Sequence, residues 1–260
     1  MELISLSPEQ FKSFALILTR ISIVLFMLPI FGTAVLPNLV KAGLALIISV
    51  AIFTVVRPDP NLFPETLLSS LNLIVSELIF GLVIGLTIRL FFAAIQLGGQ
   101  LVGFQMGFAI ANVMDPESGA QTPIVAHMGY WIAILVFLLL NGHHILLKTL
   151  VDSFSIVEVG SFGLRDGLFQ NILEASGDMF TLAIKFGAPA IAVLLFTSAA
   201  FGIVAKVVPQ MNILIVAFPL KIVVGLFFFG ISLRVLLCLV ERYVVGLESM
   251  FKVMMGPVGG

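Results

Sequence analysis

Leu67–Leu97 reads LLSSLNLIVSELIFGLVIGLTIRLFFAAIQL, an unbroken apolar stretch interrupted by only two charges, Glu77 and Arg89. A hydrocarbon layer of about 30 Å is crossed by about 20 helical residues, so this stretch is long enough to span a membrane with residues to spare. Working outward, the same reading applies to Phe14–Phe31, Leu39–Val56, Ile124–Leu140, Met179–Ala205 and Asn212–Val240. The mean hydropathy is +1.20 and 60% of the residues are apolar, against roughly half in an ordinary soluble domain. The pattern predicts an all-α membrane protein with six long apolar helical segments. Little chain is left between them. The longest connector, Asn141–Asp178, has room for a short surface helix but not for a core of its own, so residues 1–260 are expected to form one membrane domain with no separate soluble part.

The run after Leu97 is different. In Gly98–Gly119, Gly99, Gly103, Gly107 and Ala111 recur every four residues, which on a helix makes a bare stripe for close approach of a second backbone. The stripe then breaks into Asp115-Pro116-Glu117-Ser118-Gly119, a turn whose backbone and carboxylates require water or protein around them. A close-packing face that runs into a polar loop suits a gate or a substrate path. Ile110–Thr122 is read as a movable plug in such a path, with an ordinary exposed connector as the competing reading. Ile110, Val113 and Met114 would seal it, and Asp115 and Glu117 would face a hydrated lumen.

Six ionisable residues lie within the apolar stretches: Arg20, Glu77, Arg89, Lys185, Lys221 and Arg234. A charge at the bilayer centre costs about 2.5–3.5 kcal/mol even on lenient scales, so each needs a partner, water or an interfacial position. Arg89 and Arg234 are read as snorkelling from near helix ends. Five of the six are basic, so they cannot all pair with one another. Arg20, Glu77, Lys185 and Lys221 are expected to pair with charges on other subunits, with lining water as the alternative. For the two lysines, snorkelling is the competing reading. Pro29, Pro189 and Pro219 are expected to kink their helices. Gly81-x-x-x-Gly85 reads as ordinary helix packing.

Signs of catalysis are scarce. No HExxH, GxSxG or phosphate-binding Gly-Lys loop is present, and the three histidines are His127, His143 and His144. His143 and His144 are expected to point to different sides of a helix, after a helix terminus at Asn141-Gly142 with Gly as the C-cap. The single Cys238 excludes an internal disulfide and is expected to be a small buried hydrophobe. No enzyme activity, metal or cofactor is expected. Met1–Ser13 carries Glu2, Glu9 and Lys12 and does not read as a cleaved signal peptide. With six spans, Lys12, Arg57, Lys148, Arg165, Arg242 and Lys252 fall on the side of the termini and Lys41 and Lys206 opposite, a balance that favours termini in the cytoplasm.

Several blocks together resemble the FliR family, components of the bacterial flagellar type III protein export gate. They are Gly99-Gln100-Leu101-Val102-Gly103-Phe104-Gln105-Met106-Gly107-Phe108-x-Ile110-Ala111-Asn112 and Asp115-Pro116; Asn141-Gly142-His143-His144 with Ser153-Phe154; Lys206-x-Val208-Pro209-Gln210-Met211-Asn212; and Phe218-Pro219-Leu220-Lys221-Ile222 with Gly225. The resemblance runs over essentially the whole chain, in the family's order. It implies assembly with FliP-like and FliQ-like subunits around a pore, beside FlhB-like and FlhA-like membrane proteins. Unfolded flagellar subunits would be the cargo, and lipid but not nucleic acid a further contact. It implies the bacterial inner membrane and the flagellar basal body as location, and helical hairpins packed in a cone partly raised from the membrane plane. It also implies that Met106, Phe108, Ile110, Asn112, Val113, Met114, Asp115, Pro116, Glu117 and Gly119 lie in a pore-closing loop. The Asn112–Gly119 run is closer to the flagellar than to the injectisome branch. Two rival classes stand beside it, a secondary transporter for a small solute and a purely structural scaffold.

Overall fold

The structure, a computed structural model, describes residues 8–29, 37–56, 66–108, 123–157, 160, 166–210 and 212–255. The regular elements among them are all helices: α1 (Pro8–Met27), α2 (Asn38–Val55), α3 (Leu67–Met106), α4 (Ile124–Leu139), α5 (Gly142–Ile156), α6 (Asp166–Val207) and α7 (Ile213–Met255). Five of them, α1, α2, α3, α6 and α7, are long and apolar enough to cross a membrane, and α4 with α5 make a sixth candidate as one broken span.

Three helices outrun the apolar stretches that announce them. α3, α6 and α7 hold 40, 42 and 43 residues. At about 1.5 Å per residue each is about 60 Å long or more. The extra turns of α6 and α7 are amphipathic. Asp166–Asp178 mixes Phe169, Ile172 and Leu173 with Gln170, Glu174 and Asp178, a helical pattern too polar to register as an apolar run.

Pro29 does not kink a helix. α1 has already ended at Met27, with the Leu28 N–H closing on the Val24 carbonyl, because the residue before a proline is pushed away from helical geometry. Pro189 and Pro219 lie inside α6 and α7, which continue through them. Pro37 and Pro123 mark the starts of α2 and α4, where their carbonyls accept the N–H of Lys41 and His127. A proline loses nothing at a helix start, since its missing N–H has no intrahelical partner there.

α4 ends at Leu139 with Leu140 as its C-cap, and the next residue, Asn141, adopts the left-handed conformation (φ 56°, ψ 27°) before α5 begins at Gly142. The turn is made by Asn141, not by Gly142 as the sequence suggested. Asparagine tolerates this region because its short polar side chain can bond locally. The same turn brings the His143 and His144 rings to 4.2 Å between centroids, so the two neighbours meet rather than diverge.

The chain packs into two compact units. The first draws on residues 1–90, 141–175 and 245–260, and the second on residues 91–140 and 176–244. In the first, α1 packs against α2, with Phe14 edge-on to Phe53 and Ala45, Ser49 and Ile52 turned inward. Its core includes Ile17, Ile21, Phe80, Ile84, Ile88 and Leu150. In the second, Phe92, Ile95, Phe137, Phe186, Leu194 and Leu236 are buried, with Phe92 edge-on to Tyr130 and Phe137.

Candidate functional site

Two constellations stand out, one in each unit. In the first, Arg20 of α1 and Glu77 of α3 are both completely buried. The Arg20 Nε donates to Glu77 Oε2 at 2.5 Å and Nη2 donates to Oε1 at 2.9 Å, a two-pronged match of planar fork to carboxylate. The third arm, Nη1, donates to the Ser153 Oγ of α5 at 3.2 Å, while the Ser153 hydroxyl donates to the Leu150 carbonyl at 2.6 Å. Glu77 Oε1 also accepts the Gly160 N–H at 2.9 Å, from beyond the end of α5.

The faces of the guanidinium are covered as well. The rings of Phe80 and Phe154 each lie 4.3 Å from the Arg20 Cζ, in cation–π contact. Helix geometry brings these groups together with few elements. Glu77 and Phe80 stand three residues apart on α3 and so share a face, and Ser153 and Phe154 are neighbours on α5. Two full charges are thus held out of water with both carboxylate oxygens and all three guanidinium nitrogens hydrogen-bonded, the kind of arrangement under which a buried pair is tolerated.

The pairing corrects one expectation. Arg20 and Glu77 are not matched to other subunits; they are matched to each other, because a bidentate fork in an apolar core leaves neither charge available. Lys185 is exposed on α6 and Lys221 is half-buried on α7, and neither has an ionic partner among the described residues. Cys238, expected to be buried, is exposed on α7.

The second constellation is a crossing of helices in the other unit. A Cβ added at Gly98 would lie 2.6 Å from the Ala183 carbonyl oxygen of α6, and one at Gly99 would lie 2.6 Å from the Ala126 Cα of α4. Two successive glycines therefore admit two different backbones, since successive positions point about 100° apart around a helix. On the partner side Gly187 of α6 approaches the Gly98 carbonyl, and Gly129 of α4 faces the buried Phe186 ring.

The expected stripe is not one surface. Gly99 serves close approach, but Gly103 has nothing nearer than 3.9 Å to a Cβ position, so side chains rather than a backbone lie over it. Gly107 ends α3 with φ +95°, a conformation that disfavours any side chain, and sits against Phe218 of α7. Gly98, which the four-residue spacing passes over, makes the tightest approach to α6. Of the proposed plug residues, Met106 is fully buried against Gly225 and closes α3, so it belongs to the core. Phe108 is half-buried and packs back toward Gly103. Ile110, Ala111, Asn112, Val113, Met114, Asp115, Pro116, Glu117 and Gly119 lie outside the described residues.

Composition and spacing do not single out Ser153, Phe154, Phe80, Gly160 or Gly98 as site residues. Only Ser153-Phe154 carries a signal, as part of the family resemblance.

Among the described residues no group of three or more His, Cys, Asp or Glu side chains is placed to hold a metal ion. Nothing in either constellation presents a nucleophile beside a base. What the geometry offers is rigid, close helix packing.

The family described as "Bacterial export proteins, family 1" matches residues 11–246. The chain is 35% identical to the flagellar biosynthetic protein FliR of Bacillus subtilis (strain 168), over 90% of this chain and 91% of that one. It is 32% identical to the FliR of Escherichia coli (strain K12), over 80% and 79% of the two chains. It is also 30% identical to the FliR of Aquifex aeolicus (strain VF5), over 90% and 89%. With the all-helical, multi-span architecture and the family blocks in place along it, the chain belongs to the FliR family of bacterial export proteins.

Proposed function

We propose that this chain is a structural and gating component of the flagellar type III protein export apparatus, forming part of an inner-membrane pore for unfolded flagellar subunits. The observation that carries this reading is the mismatch between apolar length and burial. In the most apolar stretch of α3, 61% of residues are buried within the chain, against 11% for α6 and 22% for α7. Phe169 near the start of α6 and Val253 near the end of α7 are each 68% exposed, beyond a twenty-residue span centred on the apolar part of either helix. A bilayer covers about 20 residues of a helix, so much of this surface calls for protein to cover it. The family membership supports FliP-like and FliQ-like subunits as the covering partners, beside FlhB-like and FlhA-like proteins.

The chain's part is read as assembly and gating rather than catalysis. A role for Ile110–Thr122 in closing the pore rests on its sequence and on the family resemblance. Solute transport is the weaker reading, because Glu77, the one acid well inside an apolar stretch, is engaged by Arg20 and does not stand ready to couple an ion. The test is a strain lacking the chain: it should build no filament and secrete no flagellar subunits, and the restored gene should recover both. Normal filaments in that strain would overturn the reading.

A further inference from the structure

We propose that the outward face of α7 centred on Arg234 docks a helix of another subunit that carries an aspartate or glutamate at the same level. The inference rests on the reading of the chain as a member of a membrane assembly and identifies one of its contacts.

α7 buries a single stripe, Gly225, Phe229, Ser232, Leu236 and Val240, spaced by three and four residues. The opposite stripe, Val223, Phe227, Gly230, Arg234 and Cys238, is exposed along its whole length. Arg234 stands at the middle of the helix, 21 residues from each end of Ile213–Met255, and has no ionic partner among the described residues. Nothing lies within 4 Å of a Cβ at Gly230, one turn away, so a second helix can approach there.

Lipid alone does not suit this face. Between Lys221 and Arg234 there are only twelve uncharged residues, Ile222–Leu233, about 18 Å of helix against a hydrocarbon layer of about 30 Å. Every twenty-residue window along Ile213–Val240 therefore contains Lys221 or Arg234. Centring the layer on Ile222–Leu233 leaves both about 5 Å inside its edges. Lys221 escapes readily, since helical side chains lean toward the N-terminus and its stem leads outward. The stem of Arg234 leads back into the layer. α6 shows the contrast, because Phe186–Ala205 gives it twenty uncharged residues with Lys185 and Lys206 at the two borders. Arg234 thus calls for a carboxylate brought by a neighbour. The chain's own mid-helix acid, Glu77, is held by Arg20.

The assembly is purified from cells through a tag on this chain, and two measurements are made. A photo-crosslinking benzophenone residue replaces Phe227, which shares the stripe with Arg234. Its adducts are expected on another membrane subunit of the apparatus. In parallel, Arg234→Glu is expected to lower the recovery of that subunit by about tenfold or more, while Arg234→Lys retains it. Treating the Arg234→Lys assembly with a carbodiimide should join the new amine to an aspartate or glutamate of the crosslinked subunit. Adducts to lipid only, or wild-type recovery with Arg234→Glu, would overturn the proposal. If filaments fail without the chain yet the benzophenone finds only lipid, the docking face is wrong and the export role stands.

Discussion

Glu77 binds three N–H groups from two parts of the chain, two from Arg20 and one from Gly160, and so ties α1, α3 and the end of α5 at one carboxylate. Removing one partner of such a pair strands the other charge, whereas removing both leaves no unpaired charge and only the Gly160 N–H without its acceptor.

Arg20→Met and Glu77→Leu, made singly, should therefore each destabilise the chain by about 3–5 kcal/mol. The double variant should recover most of that loss. The measurement is the thermal unfolding midpoint of the detergent-purified protein, and a double variant no better than its worse parent would refute the account.

At the helix crossing the expected order is sharp. Gly98→Ala and Gly99→Ala should each cost about 1–3 kcal/mol by overpacking, because the added methyl would meet backbone that cannot rotate away. Gly103→Ala meets only ordinary contacts and should be neutral or stabilising by about 0.5–1 kcal/mol, as expected for glycine replaced inside a helix. Comparable losses at all three positions would show that the glycine spacing, rather than the local approach, decides.

The turn between α4 and α5 gives a conformational test. Asn141→Gly should leave stability unchanged or slightly raised, and Asn141→Val should cost about 1–2 kcal/mol or more, since a β-branched residue is strained in the left-handed region. Equal stability of the two variants would mean that the backbone there relaxes.

Deleting Asn112–Gly119 should let ions leak through the assembled complex while its subunits stay together, if that segment closes the pore. Conductance across membranes containing the assembly decides it, with co-purification as the control. Membranes as tight as wild type would assign the seal elsewhere.

The helical class, and the rough position of every long helix, can be read from apolar runs alone, because membrane-length hydrophobicity leaves few alternatives. Helix ends cannot. The first turns of α6 and the last of α7 are amphipathic, and α5 hides in what reads as a connector. The charges are legible as a problem but not as a solution: hydropathy marks Arg20 and Glu77 as needing partners, and it does not say that two helices place them within reach of each other. Likewise a four-residue spacing finds Gly99 but not Gly98, because it assumes one partner helix where α3 has two.

That doubling has a mechanical consequence. Leu97 and Gln100 flank the two glycines, so sliding α3 by one residue in either direction would drive a large side chain into α4 or α6. The helix behaves like a keyed shaft with a single seating. Any motion that alters the pore must carry α3, α4 and α6 together at this level, and the give must come from segments beyond the key.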